Sequence, residues 1–297
     1  MLFCEQYADV HRISHPGVTL SNWKQLSPSL YHQLSLGPAF GATDVGLVRP
    51  SNEDNFLIDQ ELGLVVVGDG MGGHDGGEIA SASAIIAVRD FIRSFIHAKE
   101  SNTLPFEPSY DPDATWSDRM MPAVIALFDA VEFANTQLYE QNLANLKGDG
   151  RGMGTTLTGL WQYLDRGRLV VFHVGDSRLY RYREGKLSML TRDQTLYQQA
   201  VDDGHVDNMP ARNLLLQAIG PTATVKPDVR SHTYQAGDLY LLCSDGLYGE
   251  APQAAIQEIM ARTSADRLQQ SCADLIDLAK QHGSRDNITA VLLMCQQ

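Results

Sequence analysis

Short apolar runs and longer amphipathic stripes alternate along this chain from Phe40 onward. Phe40–Gly46, Asn55–Ile58 and Leu64–Val67 are brief apolar segments, and Asp59–Gly63 is turn-prone, which predicts a hairpin between the last two. Ile85, Val88, Ile92, Phe95 and Ile96 recur at helical spacing, predicting an amphipathic helix over 78–96 whose early Glu78 suits the helix dipole. A second stripe, Val124, Leu127, Phe128, Val131 and Leu138, predicts a helix ending before Lys147. Strands are then predicted at Thr155–Leu164, Arg168–Val174, Arg178–Arg183 and Leu187–Leu190, with turns at Arg166-Gly167 and Glu184-Gly185. Polar residues with Gly204 and Pro210 interrupt this rhythm over 194–213, an insertion with a short helix. Strands resume at Asp228–Thr233 and Asp238–Cys243, a helical stripe follows at Leu268, Cys272, Leu275, Ile276 and Ala279, and Ile288–Met294 is a last strand. Sheet blocks on either side of long helices define a layered α+β class rather than a regular βαβ alternation.

Of the 297 residues, 43% are hydrophobic, enough for a sizeable core. No linker-like composition follows Phe40, so the expected organisation is an N-terminal extension over 1–38 of unknown role and one large domain over 39–297. A net charge of −13, without clustered Lys and Arg, excludes nucleic acid as a default partner. Cys4, Cys243, Cys272 and Cys295 have no paired spacing, as expected of reduced thiols in a cytoplasmic protein. Glu5, Asp9 and His11 do not make a secretory leader, and no apolar run is long enough to span a bilayer. A monomer is expected.

One local pattern recurs. The apolar strands ending at Val67, Val174 and Cys243 lead into Asp69, Asp176 and Asp245, while Glu53-Asp54 and Asp286-Asn287 stand just before strands. Taken singly, each aspartate is an ordinary turn residue. Brought together, so many carboxylates would repel unless cations bound among them. A set of oxygen ligands without zinc-type Cys/His spacing selects Mg²⁺ or Mn²⁺, and two such ions about 3.5–4 Å apart can activate a water for attack on phosphorus.

The same residues carry a resemblance. Arg49-Pro50-Ser51-Asn52-Glu53-Asp54, Asp69-Gly70-Met71-Gly72-Gly73-His74, Gly154-Thr155-Thr156, Gly175-Asp176-Ser177-Arg178, Ser244-Asp245-Gly246-Leu247 and Asp286-Asn287 resemble, in order, the motifs of metal-dependent protein phosphatases of the 2C type in their bacterial form. That resemblance implies a central β-sandwich of two antiparallel sheets flanked by helices, a four-layer αββα arrangement. It implies that Asp69 bridges two metals, that the Gly70 carbonyl, Asp245 and Asp286 complete their ligands, and that Asp176 helps hold a third, weaker ion. Arg49 is expected to clamp the substrate phosphate. Glu53, Asp54 and Asn287 are expected to act through bound water and supporting hydrogen bonds.

Met71 stands where animal members carry their proposed acid, and His74 matches the histidine of bacterial relatives; it is either the general acid or a loop-stabilising residue. His173, inside an apolar strand, reads as a core residue. The insertion at about 194–213 corresponds to the family's flap beside the site. The implied function is hydrolysis of phosphoserine and phosphothreonine in phosphorylated protein substrates by attack of a metal-bridging water, in signalling that opposes a cognate Ser/Thr kinase. The alternatives are a non-catalytic binding module and a small-metabolite phosphohydrolase on the same scaffold.

Overall fold

In the computed structural model of the chain, residues 26–72, 76–100, 116–145, 152–163 and 167–296 are described. One antiparallel sheet runs in the order β1 (Tyr31–Gln33), β2 (Pro38–Asp44), β13 (Ile288–Met294), β12 (Leu239–Cys243), β9 (Arg178–Arg183), β10 (Lys186–Met189). The other runs β11 (Asp228–Thr233), β8 (Arg168–Val174), β7 (Leu157–Trp161), β4 (Leu64–Gly68), β3 (Asn55–Asp59), and β5 (Gly70–Met71) pairs with β6 (Gly154–Thr155) as a small ribbon. The helices are α1 (Gly76–Glu100), α2 (Trp116–Asn145), α3 (Leu196–Asp202), α4 (Asp245–Tyr248), α5 (Gln253–Ala261) and α6 (Leu268–Gln281).

The period-two alternation of the central strands builds the layers. Leu64 and Val66 of β4 pack with Ile85 and Val88 of α1 and Leu127 and Val131 of α2. Val65 and Val67 point the other way, into a core shared with Tyr240 and Leu242 of β12 and Val291 and Leu293 of β13. The alternate residues Leu241, Ala290 and Leu292 meet Ile256 of α5 and Leu275 of α6. The order is therefore helices, sheet, sheet, helices. Each fully buried Leu, Val or Ile stabilises this arrangement by about 1.5–3 kcal/mol, which is why strands buried on both faces read as unbroken apolar runs.

Several predicted boundaries shift for identifiable reasons. The strand expected over 40–46 is β2, whose register with β13 ends at Asp44↔Ile288, after which Gly46 turns at φ 78°. The strand expected over 155–164 is divided into β6 and β7 because the Thr156 N–H turns away to the Asp69 carbonyl at 2.9 Å. Asp59 caps its hairpin, accepting from the Glu61 and Leu62 amides at 3.1 and 3.0 Å. α4 and α5 were not predicted.

The segment expected as an extension does not stay apart from the domain. β1 pairs with β2, Leu34 and Leu36 are buried between the sheets, and the Ser27 hydroxyl accepts the Ile58 amide at 2.9 Å. Residues 1–25 lie outside the described residues. Among the described residues no helix is long and apolar enough to cross a membrane, and Cys243, Cys272 and Cys295 are buried free thiols.

Candidate active site

Antiparallel pairing brings the acid-bearing strand ends to one edge. Gly68 pairs with Asn55, which sets Asp69 beside Glu53-Asp54. Cys243 pairs with Ala290 on one side and Arg178 on the other, which gathers Asp245, Asp286 and Asp176 at the same end. A cleft of about 570 Å³ opens there, and Arg49, Glu53, Asp69, Gly70, Asp176, Asp245, Asp286 and Asn287 all line it. Asp54 lies behind the wall, 4% exposed. His74 lies outside the described residues.

Burial, then mutual repulsion, dominates the electrostatics. Burial pushes the Asp69 carboxyl well above its usual range, and Asp54, Asp245, Asp176 and Asp286 push it further. Asp245 is raised to about 6 by burial and by Asp286, offset in part by a hydrogen bond with the Asp69 carboxyl. Asp176 is pushed up to about 7 by burial, then by Asp245 and Asp193. Asp54 is likewise pushed up to about 7 by burial, although it accepts from Ser244 Oγ and Thr289 Oγ1, both at 2.7 Å. Arg49, half-exposed, is held charged by its hydrogen bond to Asp286 at 2.6 Å.

These donors fit a hard divalent cation. They are oxygens only, several are buried, and two carboxyls are close enough to share a proton, an arrangement that a bound cation would relieve. Among the described residues no group of three or more His, Cys, Asp or Glu side chains closes around a single point; Asp286 is instead paired with Arg49.

Residues in and behind the cleft wall give Gly154-Thr155-Thr156 a role that the sequence left unread and show the supporting hydrogen bonds of Asn287. Thr155 Oγ1 donates to the Asp69 carbonyl at 2.9 Å, and the Asp69 amide donates to Thr156 Oγ1 at 3.0 Å, so Gly154-Thr155-Thr156 clamps the backbone of Asp69 from both sides. Asn287 uses both ends of its amide: Oδ1 accepts the Glu53 N–H at 2.9 Å, and Nδ2 donates to the carbonyls of Val45 at 3.0 Å and Ser51 at 2.9 Å. It thereby holds the loop that carries Arg49. A Cβ on Gly246 would run into the Asn287 carbonyl, so only glycine lets the Asp245 turn approach Asp286-Asn287 so closely.

Gly175 turns at φ 101°, delivering Asp176 to the cleft. Arg178 of the same motif faces away. It forms a bidentate pair with Asp193 at 2.9 and 2.7 Å and lies 3.6 Å over the Tyr248 ring. His173 is a core residue as expected, 1% exposed, its ring nitrogens meeting Thr158 Oγ1 at 2.8 Å and the Arg192 carbonyl at 3.1 Å. Burial pushes it down to about 4.

Beyond the insertion predicted over 194–213, the cleft wall continues through Leu214, Leu215, Leu216 and on to Thr222. Ile219 exchanges both backbone hydrogen bonds with Thr155, at 2.9 and 3.1 Å, tying this wall to the clamp on Asp69. Sequence reading missed these leucines because three consecutive apolar residues suggest neither a helical nor an alternating pattern.

Residues 50–292 match the family described as protein phosphatase 2C. The serine/threonine protein phosphatase PstP of Mycobacterium tuberculosis is 33% identical over 256 residues, covering 84% of this chain and 43% of PstP. The serine/threonine phosphatase Stp of Listeria innocua is 31% identical over 259 residues, covering 84% of this chain and 93% of Stp. The crystal structure of the PstP catalytic domain in complex with two manganese ions superposes with a TM-score of 0.68 at 31% identity, covering 87% of this chain and 98% of that domain. The chain belongs to the protein phosphatase 2C family, and its relatives are bacterial serine/threonine phosphatases. It spans less than half the length of PstP but nearly all of the Listeria protein.

Proposed function

We propose that this chain is a metal-dependent protein serine/threonine phosphatase that removes phosphate from phosphoserine and phosphothreonine in proteins. The observation that carries the reading is the convergence of Asp69, Asp176, Asp245 and Asp286 with Arg49 on one cleft, with the Asp69 and Asp245 carboxyls hydrogen-bonded to each other. Asp69, the Gly70 carbonyl, Asp245 and Asp286 hold two Mg²⁺ or Mn²⁺ ions, and Asp176 helps hold a third, weaker one. When bound, such ions supply positive charge and an acidified water.

The chain's own residues bind and orient the substrate. Arg49 offers a permanently charged fork to the phosphoryl oxygens, and Asp286 pre-positions that fork. Glu53 and Asn287 stand on the wall of the cleft and Asp54 behind it, keeping the Arg49 loop and the acidic residues in register. His74, five residues after Asp69 in the sequence, donates a proton to the departing serine or threonine oxygen. The protein acts as a cytoplasmic monomer opposing a Ser/Thr kinase; the manganese-bound PstP structure and the phosphatase relatives support the metal and substrate classes.

The test is phosphate release from a phosphothreonine peptide. Release that needs Mn²⁺ or Mg²⁺ and falls at least about 100-fold in Asp69→Asn is expected, since removing one group of a catalytic metal site abolishes most of its charge stabilisation. A wild-type protein inert with either metal and indistinguishable from Asp69→Asn overturns the reading.

A further inference from the structure

The cleft wall formed by the flap carries a run of leucines, and its register shows which of them share a face. Leu196 N–H donates to the Leu214 carbonyl at 2.8 Å and Leu216 N–H to the Gln194 carbonyl at 2.7 Å, on either side of the antiparallel bridge between Thr195 and Leu215. Residues that alternate along such a ribbon fall on opposite faces, and direct partners share one. Leu196, Leu214 and Leu216 therefore stand on one face with Gln194, while Thr195 and Leu215 stand on the other. Thr195 is buried, and its hydroxyl caps α3 through the Gln198 amide at 3.0 Å.

Gln194 ties this segment to the acidic rim. Its Oε1 accepts the Gly175 N–H at 2.9 Å, and the Gly175 carbonyl accepts the Gln194 N–H at 2.7 Å, immediately beside Asp176. Leu196, Leu214 and Leu216 are the exposed leucines of this wall; Leu215, on the opposite face of the ribbon, also lines the cleft but is half-buried. All three line the cleft and stay open to solvent, at 39%, 45% and 44% exposure. A single exposed leucine needs no explanation, but three on one face of a cleft are a binding surface.

The chemistry of the occupant follows from what surrounds this wall. A cleft of about 570 Å³ has room for more than a phosphorylated side chain, and pockets of this size enclose ligands with several substituents. A side chain flanking the phosphoresidue on this side meets aliphatic carbon. Neither neighbouring arginine lines the cleft: Arg192 is paired with Asp202, and Arg212 keeps its charge while lying 4.5 Å over the Tyr197 ring and donating to its hydroxyl. The chain's net charge of −13 further disfavours an acidic flank.

The geometry points to an aliphatic subsite: Leu196, Leu214 and Leu216 form the wall that selects phosphopeptides carrying an aliphatic side chain next to the phosphorylated residue over those carrying an acidic one. This rests on the phosphatase reading of the same cleft. The flap in this account is a specificity element whose recognition surface joins Leu196, at the start of α3, to Leu214 and Leu216 just past the insertion, with Gln194 tying this segment to Gly175. Because the segment runs on to Ile219, which is bonded to Thr155, a peptide held against the leucines is positioned relative to the clamp on Asp69.

The experiment compares matched phosphothreonine peptides with Leu, Ala or Asp beside the phosphoresidue, using the full chain with Mn²⁺, and p-nitrophenyl phosphate as a substrate without flanks. The quantity read is the ratio of kcat/KM between the Leu and Asp peptides within each protein, in which the fraction of active enzyme cancels. The wild type is expected to prefer Leu at least about tenfold, the scale of discrimination by an apolar pocket. In Leu214→Ser/Leu216→Ser the ratio should fall to within about twofold of unity, while Leu216→Met, which keeps the aliphatic surface, should retain most of it. Equal turnover of the three peptides by the wild type, or an unchanged ratio in the double variant, overturns the subsite while leaving the phosphatase reading in place. Failure of the wild type to hydrolyse any of the peptides or p-nitrophenyl phosphate overturns both.

Discussion

The Thr156 hydroxyl lies 2.6 Å from the Ser177 hydroxyl, joining the residue that clamps Asp69 to the residue that follows Asp176. Both are buried, and Thr156 also accepts the Asp69 amide. The two acidic strand ends are therefore held in register through one side chain. Thr156→Val keeps the shape and removes the hydroxyl. Because supporting partners of metal ligands typically matter by about 10–100-fold, the Mn²⁺ concentration needed for half-maximal activity should rise within that range. Titration of activity with Mn²⁺ checks this, and an unaltered midpoint would show that the clamp has no bearing on the metals.

Asn287 is the corresponding support on the other side of the cleft. Its three hydrogen bonds converge on the loop that presents Arg49. Removing the amide in Asn287→Ala leaves two carbonyls and one N–H without partners, each costing about 1–3 kcal/mol where it stays buried. The loop should loosen, and on the proposed role of Arg49 in binding the phosphoryl group, the loss in kcat/KM should be at least about tenfold and should appear chiefly in KM. Steady-state kinetics on a phosphothreonine peptide decide the matter; a pure kcat effect would mean that the loop positions something other than substrate.

Arg178 is predicted to matter for stability. It sits in a motif with Asp176, yet its guanidinium is spent on Asp193 and Tyr248 rather than on the cleft. The side chains of Arg178 and Asp193 are only 20% and 11% exposed, so Arg178→Met strands a largely buried carboxylate and should destabilise by about 3–5 kcal/mol. The double change Arg178→Met/Asp193→Leu should recover part of that loss. Urea unfolding of the three proteins measures it, and a double variant no more stable than Arg178→Met would contradict the pairing.

His173 gives the stability a definable acid limb. Burial holds its folded pKa down at about 4 against an unperturbed 6.5, opposed by Asp193, by its bond to the Arg192 carbonyl and by Asp228. Between those values the unfolded chain takes up the proton more readily than the folded one. The contribution is complete above about pH 6.5 and is lost as pH falls toward 4, in total roughly 3 kcal/mol. His173→Gln should therefore show a shallower fall in unfolding free energy between pH 7 and pH 4.5 than the wild type. Parallel slopes would mean that His173 does not titrate in this window.

Much of this architecture could be read from the letters because its strands are buried on both faces, so that Leu64–Val67 and Leu239–Cys243 stand out as apolar runs and their following aspartates as exits. Register could not be read. That Cys243 lies between Ala290 and Arg178 is a product of tertiary pairing, and with it comes the nearness of Asp245, Asp286 and Asp176. The clamp by Thr155 and Thr156 joins residues 86 and 87 positions from Asp69, a distance over which no local pattern carries information. α5 has too short a signature to be read, since its nine residues give only Ile256, Ile259 and Met260 as a buried stripe. Leu34 and Leu36 read as part of an extension because the short β1, with only His32 partly buried, has no apolar alternation of its own.

The central claim is that carboxylates from separate strands hold divalent cations at this edge. Calorimetric titration of Mn²⁺ into the metal-free chain tests it most directly, with Asp245→Asn run alongside. The account predicts binding of at least two ions by the wild type and loss of at least one of them, or weakening by about 10-fold or more, in the variant. Heats equal to dilution for the wild type, or identical isotherms for the two proteins, would contradict it.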